Sequence, residues 1–176
     1  MGCKSADDDI EALLDRTIEI AKDAFCGKVC FCELPLEISD GYIEFGTVRT
    51  GSKSLQKCLD GCDRVILFGA TVGIEIDRLI MRYGKVSPSV AVCLQALGAE
   101  RIESLCEIFC ADMAQKYGTE CKRLRPRFSA GYGDLPLEVQ KDIFALLCCE
   151  KRIGLTLNDS LIMSPTKSVT AIIGIY

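Results

Sequence analysis

The chain has 176 residues, a net charge of −4, twelve cysteines, and neither histidine nor tryptophan. Without histidine, a Ser-His-Asp triad, a Cys-His dyad and histidine-ligated zinc, iron, haem or cobalt are excluded. The acidic balance argues against a nucleic-acid protein, which needs a basic face to neutralise phosphates. The basic run Lys122-Arg123-Leu124-Arg125-Pro126-Arg127 is local and reads as a solvated edge.

No stretch approaches 18 unbroken apolar residues, so no transmembrane helix is expected. The start, Met1-Gly2-Cys3-Lys4-Ser5-Ala6, departs from a myristoylation signal at Ala6, and Asp7-Asp8-Asp9 follows where a signal peptide would be apolar. The chain is therefore read as soluble and cytoplasmic, and its length suits one domain across 1–176.

In chain order, Asp7 to Ala24 is expected to be helical, with Ile10, Leu13, Leu14, Ile18 and Ala21 as its apolar positions and the aspartates at the positive end of its dipole. Val29–Ile38 and Tyr42–Val48 read as strands around the turn Ser39-Asp40-Gly41. A short helix is expected over Ser52–Leu59. Arg64–Ala70 is a near-continuous apolar run, the pattern of a strand buried on both faces. Gly73 leads into a helix through Ile74, Ile76, Leu79 and Ile80 to Gly84. Ser87-Pro88 opens a long helix to about Lys116, in which Gly98 marks close packing or a bend.

Leu124–Ser129 reads as extended and Ala130–Asp134 as a loop. Asp134 is expected to cap a helix over Pro136–Cys149. The tail reads as strands Ile153–Leu157, Ser160–Met163 and Ser168–Ile175, with a turn at Ser164-Pro165-Thr166-Lys167. Helices and strands mix without a regular βαβ repeat. The expected fold is α+β, a central, largely antiparallel sheet with helices packed on it.

The cysteines have no metal-site spacing of the usual kind. Cys26, Cys30 and Cys32 form CxxxCxC, which is neither a CxxC zinc pair nor the CxxxCxxC of radical enzymes. Cys58/Cys62 and Cys106/Cys110 are i, i+4 pairs. Free cysteine packs as a small hydrophobe, so most of these thiols are assigned to the core and no metal is assigned. A metal or redox site built on Cys26, Cys30, Cys32 and a fourth thiol is the alternative.

The most informative stretch is Arg127-Phe-Ser-Ala-Gly-Tyr-Gly-Asp134, between an extended segment and a helix start. Arginine presents a planar fork that matches a carboxylate, glycines let a ligand approach the main chain, and helix N-termini favour anions. This is a candidate site for a small carboxylate or phosphate ligand; a glycine turn beside an exposed arginine fits the spacing equally.

The loop and the tail together resemble a known family. Arg127-Phe128-Ser129-Ala130-Gly131-Tyr132 and, later, Leu157-Asn158-Asp159-Ser160-Leu161-Ile162-Met163-Ser164-Pro165-Thr166-Lys167-Ser168-Val169-Thr170 are similar, in order, to two motifs of the activation domain of cobalamin-dependent methionine synthase. That resemblance implies a domain that binds S-adenosylmethionine and presents it to a corrinoid. It further implies reductive methylation of the oxidised corrinoid, with an electron from a flavodoxin-type donor. The corrinoid would come on a partner, a methionine synthase or another corrinoid methyltransferase, since a chain without histidine lacks the Asp-x-His-x-x-Gly signature. Residue by residue, the resemblance implies that Arg127 pairs with the methionyl carboxylate. It has Ser129, Ala130 and Gly131 offer backbone groups, and Tyr132 lie near the corrinoid. Glu103, or alternatively Glu107, faces the ligand.

The sequence also departs from that pattern. Gly133 stands where the family has proline, and Ala171-Ile172-Ile173-Gly174 where it has aromatic residues. A docking module that has lost the ligand is therefore the second reading.

Overall fold

The computed structural model describes residues 4–176, so the Met1-Gly2-Cys3 start lies outside the described residues. The chain runs α1 (Lys4–Ala21), β1 (Lys28–Pro35), β2 (Glu37–Ser39), β3 (Tyr42–Phe45), β4 (Val48–Thr50), α2 (Lys53–Cys58), β5 (Arg64–Thr71), α3 (Glu75–Val86) and α4 (Pro88–Gly118). It continues through α5 (Val139–Leu147), α6 (Cys149–Ile153), β6 (Thr156–Leu157), β7 (Met163–Ser164) and β8 (Ser168–Ile175).

The architecture is α+β, built on an antiparallel sheet in the order β1-β5-β8. β5 is the middle strand, and alternation along it sends side chains to opposite faces. Val65 and Leu67 join one core with Leu55, Leu135, Val139, Ile143 and Leu147. Ile66, Phe68 and Ala70 join the other with Ile76, Leu94, Ile102 and Phe109. Thus α2, α5 and α6 cover one face and α1, α3 and α4 the other. Burial on both faces is why the sequence of β5 is apolar without alternation.

The outer edge of β8 is partly covered. Residues 123–128 pair with it through antiparallel bridges Leu124↔Ile175 and Phe128↔Ile172. Phe128 N–H donates to Ile172 C=O and Ile172 N–H returns the bond, both at 2.8 Å. Between the two bridges the pairing shifts by one residue, Arg125 N–H donating to Gly174 C=O and Phe128 N–H to Ile172 C=O, so the segment is not a regular strand.

Several elements differ from the sequence reading, each for an identifiable reason. α1 starts at Lys4, so Asp8 and Asp9 fall in its second turn rather than at its positive end. Its buried face is Leu13, Thr17, Ile20 and Ala21, while Ile10, Leu14 and Ile18 are exposed. Thr17 tolerates burial because its hydroxyl donates to Leu13 C=O at 2.7 Å. Val29–Ile38 breaks at Leu36 into β1 and β2, and Tyr42–Val48 folds at Gly46 into β3 and β4. Of the expected strand Ser160–Met163 only Met163 is strand, at the start of β7; the rest is a turn, because the Asn158 side-chain oxygen accepts from Ser160 N–H and Ile162 N–H. The stretch Ile153–Leu157 keeps only Thr156–Leu157 as strand. Gly98 marks close packing: a Cβ there would lie 3.1 Å from Lys167 Cγ and 3.3 Å from Ile76 Cγ1.

The expected cap at Asp134 is also corrected. The helix beyond it begins only at Val139 and ends at Leu147, because Cys148 turns left-handed. Asp134 instead caps α2, 80 residues upstream. Its carboxylate accepts from Ser52 Oγ at 2.5 Å, Lys53 N–H at 2.8 Å and Ser54 N–H at 3.0 Å. Those bonds, the Ser52 hydroxyl first, hold the Asp134 carboxyl well below the usual carboxylate range.

A carboxylate stabilised by folding contributes stability above its unfolded pKa and loses it as pH falls through the lower folded value. Asp134→Asn should therefore be less stable than the wild type at neutral pH, with a gap that narrows below about pH 4. Urea unfolding at a series of pH values measures this, and a pH-independent gap would contradict the long-range cap.

Candidate functional site

Backbone parity on β8 locates the site. Ile172, Gly174 and Tyr176 turn their main-chain groups toward residues 123–128. Alternation places Thr170 and Ser168 next on that edge. The covering segment leaves the edge after Phe128, and a cavity of about 680 Å³ opens there. That volume falls within the range of small-molecule sites, roughly 300–1,000 Å³.

The walls come from four parts of the chain. α4 supplies Glu103, the loop supplies Arg127 to Ala130 and Tyr132, α5 and its approach supply Leu137 and Gln140, and the tail supplies Leu161, Ile162, Met163 and Thr166. Thr170 and Val169 of β8 close the floor.

Arg127 is the principal charge. Its guanidinium pairs with the Glu103 carboxylate across the gap between the loop and α4. That hydrogen bond raises the arginine pKa further, so the side chain is always cationic. Cys106 and Cys110 of α4 lie behind it, and burial pushes both thiols up, Cys106 to about 11. They are neutral thiols beside the arginine, not thiolates competing for it. Glu107, the alternative to Glu103, does not line the cavity.

Ser129 and Ala130 line the cavity, and neither backbone N–H has a partner among the described residues. Gly131 does not line it; it shapes the loop, with φ +87° and an N–H that donates to Leu135 C=O at 3.0 Å. Tyr132 stands at the mouth, 70% exposed. Gly133 has φ +59°, and a Cβ there would lie 2.7 Å from Ser54 Oγ. Proline is held near φ −65° and cannot take that conformation. The departure from the family pattern at Gly133 thus lets the loop dock on α2, where Asp134 fastens it.

Ala171, Ile172 and Ile173 are buried in the two cores and form no wall of the cavity. Its apolar lining comes from Leu161, Ile162, Met163 and Leu137 instead. The turn bearing those tail residues is held by Asp77 of α3. One carboxylate oxygen accepts from Thr166 N–H at 2.7 Å and the other from Thr166 Oγ1 at 2.6 Å. Sequence reasoning missed Asp77, Gln140 and Thr166. Gln140 is a polar residue on the face that α5 shares with the buried Val139, Ile143 and Leu147.

Among the described residues, no group of three or more cysteines and acidic residues is placed to hold a metal ion. Cys26 is exposed, Cys30 buried and Cys32 half-buried. Cys30 and Cys149 are both buried beside Gly69, and their interaction pulls the Cys30 thiol down and pushes Cys149 up. Cys106 is likewise buried, whereas Cys121 and Cys148 are exposed and Cys58, Cys62, Cys93 and Cys110 are half-buried. The assignment of most cysteines to the core is therefore corrected: their spacing does not separate inner from outer faces.

No protein-family model matches the sequence, and no curated protein matches it. A solved structure with a similar fold is the crystal structure of the MetH reactivation domain bound to AdoHcy. The TM-score is 0.61 at 16% identity, over 94% of this chain and 65% of that one. At that identity the likeness is one of fold.

Replacing Asp77 removes two charge-assisted hydrogen bonds from a nearly buried carboxylate. Asp77→Ala should lose about 2–3 kcal/mol of stability in urea unfolding. A loss within experimental error would show that the turn is held by other contacts. The chain is thus similar in fold to the MetH reactivation domain, and its cavity lies between the Arg127 loop and the tail.

Proposed function

We propose that the cavity binds S-adenosylmethionine and that the chain supports reductive methylation of an oxidised corrinoid held by a partner protein. The observation that carries this reading is the Arg127–Glu103 pair at the wall of the cavity. An α-amino acid end carries one carboxylate and one ammonium. It can exchange the internal ion pair for two pairs of its own, the carboxylate on the Arg127 fork and the ammonium on Glu103. The N–H groups of Ser129 and Ala130, unpaired among the described residues, add donors for the carboxylate side. Leu137, Leu161, Ile162 and Met163 offer apolar surface to a ring. The likeness in fold to a reactivation domain bound to AdoHcy supports the same reading.

When bound, S-adenosylmethionine supplies an electrophilic methyl group, and the corrinoid with an electron from a flavodoxin-type donor supplies the rest of the chemistry. This chain's part is positioning. Arg127 and Glu103 fix one end of the ligand, and the loop held by Gly133 and Asp134 fixes its height. Tyr132, Leu137 and Ile162 are exposed around the mouth, an apolar rim for the face of a corrinoid-binding methionine synthase or another corrinoid methyltransferase. The same rim would also serve a docking module without a ligand, so ligand binding decides between the two readings.

Calorimetry with S-adenosylmethionine and S-adenosylhomocysteine provides the test. The wild type should bind both. Arg127→Ala should weaken binding by about 1.5–3 kcal/mol, roughly ten- to a hundred-fold. Arg127→Lys, which keeps the charge and loses the fork, should fall between. Absence of binding by the wild type, alone and with a corrinoid partner, would leave only the docking reading.

A further inference from the structure

Gln140 places a carboxamide among the buried apolar residues of α5. It sits in the first turn of α5 and is 4% exposed. Its Oε1 is enclosed and, among the described residues, has no hydrogen-bond partner. Its backbone N–H donates to Leu137 C=O at 3.0 Å. Proteins rarely bury an unsatisfied carboxamide, because its desolvation goes uncompensated. Gln140 also lines the cavity, and a turn about its terminal torsion would bring the enclosed oxygen to a ligand there.

Position narrows what that partner is. Arg127 and Glu103 meet on the side of α4, which covers one face of the sheet. Gln140 belongs to α5, which covers the other. The cavity passes around the open edge of β8 between them. A ligand held by the ion pair at one end therefore reaches Gln140 with a different part of itself.

Chemistry narrows it further. A carboxamide is a coplanar acceptor and donor side by side. A carboxylate or phosphate would use only its donors and leave the oxygen orphaned. A hydrocarbon would leave both unpaired. The complement is an N–H beside a ring nitrogen, the edge that adenine presents and that glutamine reads with two hydrogen bonds. Leu161, Ile162 and Met163 line the same space with apolar surface for the ring faces. We propose that Gln140 is a specificity-determining residue that reads the amino edge of an adenine ring in this cavity. The inference rests on the adenosyl amino acid reading above and assigns that ligand's second end.

The test compares S-adenosylhomocysteine with its unsubstituted-purine analogue, in which hydrogen replaces the 6-amino group and removes the donor of that edge. Calorimetry on the wild type should favour the adenosyl compound at least tenfold. Gln140→Leu should abolish that preference, whereas Arg127→Ala should weaken both compounds and keep it. A wild-type preference near unity, or one that survives in Gln140→Leu, overturns the inference. A second arm uses the wild-type protein alone: adenosine, which lacks the amino acid end, should shift the Gln140 side-chain amide resonances in a nitrogen–proton correlation spectrum. If adenosine shifts them while S-adenosylhomocysteine does not bind, the adenosyl amino acid reading fails and the adenine site stands. If adenosine leaves them unmoved, the adenine site falls, whether or not Gln140→Leu folds.

Discussion

The backbone pairing of Phe128 with Ile172 determines where the cover on β8 ends, and the site depends on that ending. Upstream, residues 123–128 occupy the edge and satisfy its main-chain groups. Downstream, the chain turns through Gly131 and Gly133 onto α2, and Thr170 and Ser168 are left at an open edge. A strand edge with free donors and acceptors is usually a liability. Here it is enclosed by α4, α5 and the tail turn, so the open groups line a cavity instead of meeting solvent or another chain.

Two carboxylates far apart in sequence hold two walls of that cavity. Asp134 ties the Arg127 loop to the N-terminus of α2, and Asp77 ties the Thr166 turn to α3. Neither is itself a lining residue. A third carboxylate, Glu103, reaches the ligand space and faces the arginine. Arginine fits that place better than lysine because one fork can satisfy two acceptors in a fixed plane. The thiols behind it are kept neutral by burial, so the local field is set by Arg127 and Glu103.

Much of this was legible in the sequence where local chemistry decides the outcome. The unbroken apolar run of β5 announced a middle strand, and the helix after Ser87-Pro88 had its start signal. The Arg127–Tyr132 loop could be singled out from residue types alone. What failed was non-local. Asp134 has the residue type and position of a cap for the next helix, yet Ser52, Lys53 and Ser54 compete for it across 80 residues and win. The stripe Ile10, Leu14 and Ile18 has helical spacing, but α1 turns Leu13, Thr17 and Ala21 inward. Gln140 carries no sequence signal, since a glutamine among apolar helix positions looks like an ordinary exposed residue until its neighbours are placed. The tail's aliphatic stretch was legible as strand but not as core, because only pairing with β5 shows which way each residue faces.

The most direct measurement of the central claim is a crystal structure of the protein soaked with S-adenosylhomocysteine. The account predicts a ligand along the open edge of β8, its carboxylate on Arg127 and its ammonium on Glu103. A cavity without ligand and with the Arg127–Glu103 pair intact, at saturating concentration and with the mouth open to solvent, would contradict it.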